Sequence, residues 1–207
     1  MALKGSGSDV TSSFITAATA DPNGISVAAS ISGAANLTIG GALASGGSVT
    51  MDCPRNVTIL SAGDDSGITF TVTGTDESGT AITEVITGAD TDTATGSSFF
   101  QTVTQIATSG SSAGNVSAGS GTSCSGVISA SRCRLRGIYV VNGSGAATLK
   151  FREGSATGTI VMQFATVAGA STNSYPDIPD DGLLFKAGGY VTFTAVTDLT
   201  AMTTFFS

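Results

Sequence analysis

Apolar and polar residues alternate with a period of two along most of this chain. In Ile68-Thr69-Phe70-Thr71-Val72-Thr73 the apolar side chains share one face and the threonines the other. That is the pattern of a strand with one buried and one wet face, and β-branched Thr keeps strand propensity high without adding charge. Turn residues frame it. Ser61 to Gly67 precedes it, Asp76-Glu77-Ser78-Gly79 follows, and Ala81 to Thr87 returns as a further strand. The stretch from Arg55 to Gly88 therefore reads as an antiparallel β unit.

The same pattern recurs on both sides. Asp21-Pro22-Asn23-Gly24 is a turn signal that leads into the alternating run Ile25 to Ile31. Leu37 to Ile39 and Val49 to Cys53 follow, and Pro54 marks a strand edge or end because it cannot donate to a ladder. Phe99 to Ile106 is the next strand. Ser109 to Ser125 is almost wholly Ser, Gly, Ala and Thr and reads as a linker, with Asn115-Val116 as a short terminal strand. Beyond it, Arg132 to Val141, Ala147 to Phe151, Ile160 to Phe164, Leu183 to Lys186, Tyr190 to Val196 and Ala201 to Phe206 complete the set. Asn142-Gly143-Ser144-Gly145 supplies a hairpin turn, and Tyr175 to Gly182 a Pro-punctuated crossing.

No window holds a helical period, since Gly or paired Ser/Thr interrupts each candidate. Many short strands at about ten-residue spacing predict a sandwich or barrel. The expected architecture is all-β, with two tandem small antiparallel β-sandwich domains of Ig-like or jelly-roll-like type. Residues 1–20 form a flexible N-terminal arm, carrying Gly5-Ser6-Gly7-Ser8 and a Phe14-Ile15 pair able to anchor it on a partner. Domain 1 spans residues 21–122 and domain 2 spans residues 130–207.

Composition narrows the function. The chain has 207 residues, 41% of them hydrophobic but only 11% charged, so Ser, Thr and Gly carry the polarity. A sparsely charged surface of this kind is poorly protected against association, which favours one covered by neighbouring subunits. The net charge of −7 argues against a nucleic-acid partner, which requires basic surface. No segment approaches the roughly 18 apolar residues of a membrane helix, and Met1 to Phe14 lacks the apolar core of a signal peptide.

The chain has no His, which removes the commonest general acid/base and rules out His-dependent triads within it. A non-enzymatic role without cofactors is expected. Cys53, Cys124 and Cys133 lack metal-site spacing. They allow one disulfide, for which Cys124 with Cys133 is the best pair, although reduced buried thiols are the simpler reading.

Asp64-Asp65 and Asp180-Asp181-Gly182 offer hard oxygen ligands in turns, but neither has the spacing of a known calcium loop, so solvated turn carboxylates fit better. The Gly-rich run Ala113 to Gly121 lacks the Lys and the helix of a phosphate loop. The sequons at Asn36, Asn56, Asn115 and Asn142 read as chance matches in a Ser/Thr-rich chain. Arg132, Arg134 and Arg136 share one strand face by their spacing of two. They read either as a docking patch for an acidic neighbour or as a solvated face that discourages edge pairing.

Several segments carry a family resemblance. Asn36-Leu-Thr-Ile-Gly-Gly-Ala-Leu-Ala-Ser-Gly-Gly, Arg55-Asn-Val-Thr-Ile, Gly74-Thr-Asp and Ile86-Thr-Gly resemble a module of tailed-phage structural proteins. Arg136-Gly-Ile-Tyr, Lys150-Phe-Arg-Glu-Gly-Ser-Ala-Thr-Gly-Thr and Ile178-Pro-Asp-Asp-Gly-Leu-Leu-Phe are similar to small β modules of phage virion proteins, notably from marine phages. Together they cover most of residues 25–207.

The resemblance implies a virion structural protein, foremost a head decoration or accessory protein, with a tail or fibre-attachment component as runner-up. It implies assembly with other virion proteins after synthesis in a host cytoplasm, as a homo-oligomer with a trimer favoured. It brings no catalytic residues. A carbohydrate-binding β-sandwich module is the alternative from another class, weakened by the absence of Trp and by only three Tyr. The expected partner-binding residues are Arg132, Arg134, Arg136, Phe14 and Ile15.

Overall fold

In the computed structural model, which describes residues 11–169, 172–179, 181–194 and 198–207, sixteen strands follow one another without an α-helix among the described residues. They are β1 (Thr11–Ile15), β2 (Ser26–Ser30), β3 (Ala44–Ser45), β4 (Ser48–Ser61), β5 (Thr69–Thr75), β6 (Ala81–Thr87), β7 (Thr93–Thr95) and β8 (Phe100–Thr108). The second half adds β9 (Asn115–Ser129), β10 (Cys133–Asn142), β11 (Thr148–Glu153), β12 (Thr159–Ala165), β13 (Asn173–Ser174), β14 (Leu183–Phe185), β15 (Gly189–Phe193) and β16 (Leu199–Phe206). The protein is all-β, built on large antiparallel sheets.

The larger sheet runs β12-β11-β15-β9-β4-β8-β5-β6, with β2 on β9 and β3 and β7 on β4. The smaller runs β1-β16-β10-β13, with β14 also on β10. Every pairing between these strands is antiparallel.

Two hydrophobic clusters form. One gathers Ile25, Val49, Val57, Ile59, Phe70, Val72, Phe100, Ile106 and Val116 with their neighbours. The other gathers Ile15, Cys53, Cys124, Leu135, Val140, Phe151, Phe185, Phe193 and Met202 with theirs. The alternation read from the sequence survives closely in β5, where Phe70 and Val72 are fully buried, and in β6, which spans the expected Ala81–Thr87.

Four expectations are corrected. Ser109 to Ser125 is not a flexible connector, because Asn115–Ser129 forms the long strand β9 between β4 and β15. Its small residues are a packing requirement: a Cβ on Gly119 would run into the backbone of Asp21 and Pro22, and one on Gly126 into the Ile15 side chain. Close approach of neighbouring chain, not disorder, explains this composition. The first half of β9 supplies Val116 and Ala118 to one cluster and the second half Cys124 and Ile128 to the other, so β9 begins inside the expected first domain and joins both cores.

Residues 11–20 are likewise no loose arm. β1 pairs with β16 over all five of its residues, and Ile15 is buried in the core. Residues 1–10, with Gly5 to Ser8, lie outside the described residues, as do Ala195 and Val196 at the end of the expected strand from Tyr190. Pro54 does not end a strand either. β4 continues through it, but the ladder to β8 is irregular between Thr50 and Arg55, so the missing N–H falls where pairing is already interrupted.

The fourth correction concerns the cysteines. Cys53 on β4 is bonded to Cys124 on β9, 71 residues away in sequence, and Cys133 is the buried free thiol. Burial pushes the Cys133 thiol above its ordinary range, which keeps it protonated and unreactive. A cross-link over that many residues contributes about 4 kcal/mol in the chain-entropy account.

Beside the disulfide lies the most buried charge of the described residues. Arg55 is 1% exposed, and its Nε and Nη2 donate to the Asp52 Oδ1 and Oδ2 atoms at 2.8 Å each. Its Nη1 donates to the Gly121 carbonyl at 3.2 Å and its Nη2 also to the Ala18 carbonyl. Ala18 N–H in turn donates to Asp52 Oδ2 at 2.6 Å. One forked ion pair therefore holds both backbone groups of Ala18 and ties the N-terminal segment to β4 and β9. Desolvation raises the Asp52 carboxyl, but the Arg55 guanidinium and the Ala18 N–H outweigh it and hold the group below its ordinary value.

Limited proteolysis followed by mass spectrometry should leave the bonds of Asn115–Ser129 uncut, with first cleavages in exposed turns such as residues 78–80. Early cutting within 120–128 would restore the linker. Asp52→Asn should leave Arg55 buried without its counter-charge, at a cost of about 2 kcal/mol by chemical denaturation, the usual cost of breaking a buried pair reduced for the partial exposure of Asp52. Because the folded-state pKa is lowered, this contribution is fully present above the unfolded aspartate value of about 3.9 and lost as pH falls through the folded value. The gap between wild type and variant should therefore be full at about pH 5 and narrow as pH falls below the unfolded aspartate value of about 3.9.

Candidate docking face

Strands β1, β16, β10 and β13 present two faces. Ile15, Met202, Thr204, Ile138 and Val140 point into the core. On the other face, register places Phe14 opposite Thr203 and Thr203 opposite Tyr139. The ring of Tyr139 packs against Tyr175, with centroids 5.1 Å apart. One row below, Ser12 lies opposite Phe205 and Phe205 opposite Gly137. Antiparallel partners share a face, so Phe14, Phe205 and Tyr139 form an aromatic surface across β1, β16 and β10, extended by Tyr175 just beyond β13. Phe14 is 67% exposed and Tyr175 66%, unusual values for aromatic side chains on ordered chain.

The arginines join this surface unequally. Cys133 and Leu135 on β10 point into the core, which turns Arg134 and Arg136 to the aromatic side. Arg134 Nη1 donates to the carbonyl oxygens of Asp181 and Gly182 at 3.0 and 3.4 Å, so it holds the turn before β14. Arg136 Nε donates to Ser207 Oγ at 3.0 Å. Arg132 is exposed in the bend between β9 and β10, with no hydrogen bond or ion pair to another described residue. Of the five residues expected to bind a partner, Phe14, Arg134 and Arg136 share this face, Arg132 stands at its end, and Ile15 is in the core.

Sequence reasoning does not single out Tyr139, Tyr175 or Phe205. For Phe205 a signal exists in the tail Leu199 to Phe206, where Met202 and Thr204 are buried and Phe205 is outward. Two adjacent phenylalanines at a strand end must point in opposite directions.

The other acidic candidates among the described residues make structural contacts. Asp64 Oδ1 accepts from Ser66 N and Oγ at 3.1 and 2.6 Å, a local turn whose hydrogen bonds lower its pKa. Asp65 is 2% exposed and accepts from Ala113 N–H at 2.7 Å, tying the turn before β5 to the one before β9. Asp180 lies outside the described residues. No group of three acidic or cysteine side chains is placed to hold a metal among the described residues. Asn56 and Asn142 are buried and hydrogen-bonded, so neither can accept a glycan. No protein-family profile, curated protein or solved structure matches the chain.

Three single substitutions separate fold from docking on this face. Arg134→Ser should lower stability by about 1 kcal/mol, the net value of a lost hydrogen bond to a turn. Arg132→Ser and Phe14→Ser should stay within about 0.5 kcal/mol, as surface changes do. Thermal unfolding of the three variants measures the difference.

Proposed function

We propose that the protein is a non-enzymatic structural component of a tailed-phage virion, in first place a head decoration or accessory protein. One observation carries the reading beyond the resemblance: the outer face of β1-β16-β10-β13 has the composition of an interface centre. Tyr, Phe and Arg are enriched at such centres. The scaffold behind this face is an antiparallel framework tied by a disulfide and by the ion pair of the buried Arg55, which suits a subunit that must hold shape in a repeated lattice. In this reading the two cores are tandem Ig-like or jelly-roll-like sandwiches fused through β4 and β9. A tail or fibre-attachment role uses the same face and differs only in its neighbour.

Assembly follows from the same surface. The protein forms a symmetric homo-oligomer, a trimer where it sits on local threefold positions, or seats this face on the virion shell. Light scattering of the purified chain should give a mass above one subunit, and localisation in particle reconstructions should find it on the head. The double variant Phe14→Ser, Tyr175→Ser should keep its melting temperature and lose either self-association or particle binding. A monomer that binds no particle component, with or without those substitutions, would overturn the proposal.

A further inference from the structure

On the large sheet, away from the docking face, two adjoining cavities form one groove. One has a volume of about 280 Å³ and the other about 240 Å³, and Phe99, Ala156 and Thr157 line both. Each is slightly below the roughly 300–1,000 Å³ of a pocket for a drug-sized molecule, so together they suit an extended ligand of ring-sized units. The floor of the larger cavity is the solvent face of β11, where Leu149 and Phe151 turn into the core and Lys150 and Arg152 turn out.

No carboxylate among the described residues pairs with these two cations. Lys150 has no hydrogen bond or ion pair to another described residue, and Arg152 contacts no carboxylate among them. Arg152 is fixed instead by neutral acceptors, its Nε donating to Thr192 Oγ1 at 3.0 Å and its Nη1 to the Gly158 carbonyl at 2.8 Å. Its Nη2 has no partner among the described residues. In a chain of net charge −7, two cations two residues apart in a cavity, without a carboxylate partner among the described residues, mark a place for an anionic group.

The remainder of the groove differs in character. Phe99 stands between the two cavities, on a segment held by Glu84, whose Oε1 accepts from Ser97 N–H at 2.6 Å and from Ser97 Oγ at 2.8 Å. The smaller cavity is lined by Asp76 and Glu77, carboxylates able to accept from hydroxyl groups but repelling a second anion. A nucleic-acid strand, with a charge on every unit, fits such a groove poorly.

We propose that this groove binds an acidic oligosaccharide, with a sugar carboxylate or sulfate on Lys150 and Arg152, a pyranose face on Phe99, and hydroxyls of the next sugar on Asp76 and Glu77. The site is separate from the docking face and does not depend on the virion reading.

Titration calorimetry of the full chain tests it, with trigalacturonate, sialyllactose and a heparin-derived tetrasaccharide as acidic probes, maltotriose as the neutral one, and inorganic phosphate. At least one acidic probe should bind, more tightly than maltotriose and phosphate. Lys150→Ser should weaken it about tenfold, the value of one charge-assisted hydrogen bond, and Thr157→Trp should block it by filling the groove from an exposed position. Both variants should keep the wild-type melting temperature. Absence of binding by all three acidic probes, binding unchanged by Lys150→Ser, or phosphate binding as tightly as the sugars would each overturn the proposal.

Discussion

The buried guanidinium of Arg55, paired with the partly exposed Asp52, is the constraint on which the rest of the structure depends. A guanidinium that is 1% exposed is tolerable only where its donors are satisfied and a counter-charge is close. Asp52, Gly121 and Ala18 meet those conditions from three separate parts of the chain. Satisfying Arg55 therefore fixes where β9 crosses β4 and where the N-terminal segment lies. The Cys53–Cys124 bond makes the connection between β4 and β9 covalent.

That junction shapes both surfaces. Once the N-terminal segment is held at Ala18, β1 lies along β16 with Ile15 inside and Phe14 outside. Phe14 joins the aromatic face only because β1 is added to that sheet edge. The groove depends on the other side of the junction, where the continuous sheet sets β11 and β15 beside the segment that carries Phe99. The two surfaces also differ chemically. The docking face is aromatic with engaged arginines, as suits a protein neighbour, whereas the groove is lined by hydroxyls and by charges of both signs.

Part of the candidate site is legible in the sequence. The spacing of Arg134 and Arg136 against Cys133 and Leu135 gives their face directly, because strand alternation is local. Phe14 and Ile15 read as a pair, yet a strand must send neighbours to opposite faces, and only one of them could remain outside. Tyr139, Tyr175 and Phe205 come from three segments far apart in sequence, so nothing local shows that they meet. The alternation that turns Lys150 and Arg152 outward is visible too, but the Phe99 wall beside them is not.

The sequence by itself determined the all-β class, most strand positions and the faces within each strand, because these follow from a period of two and from turn chemistry a few residues long. Tertiary structure decided the rest. Ser109 to Ser125 reads as a linker because it lacks large apolar residues, whereas in the fold that smallness lets β9 pass close to Asp21 and Pro22. The partner of Cys53 was equally out of reach, since it depends on which strands become neighbours. Residue periodicity records what each position does within its own strand, and contacts between distant strands are set only when the whole chain closes around its buried charge.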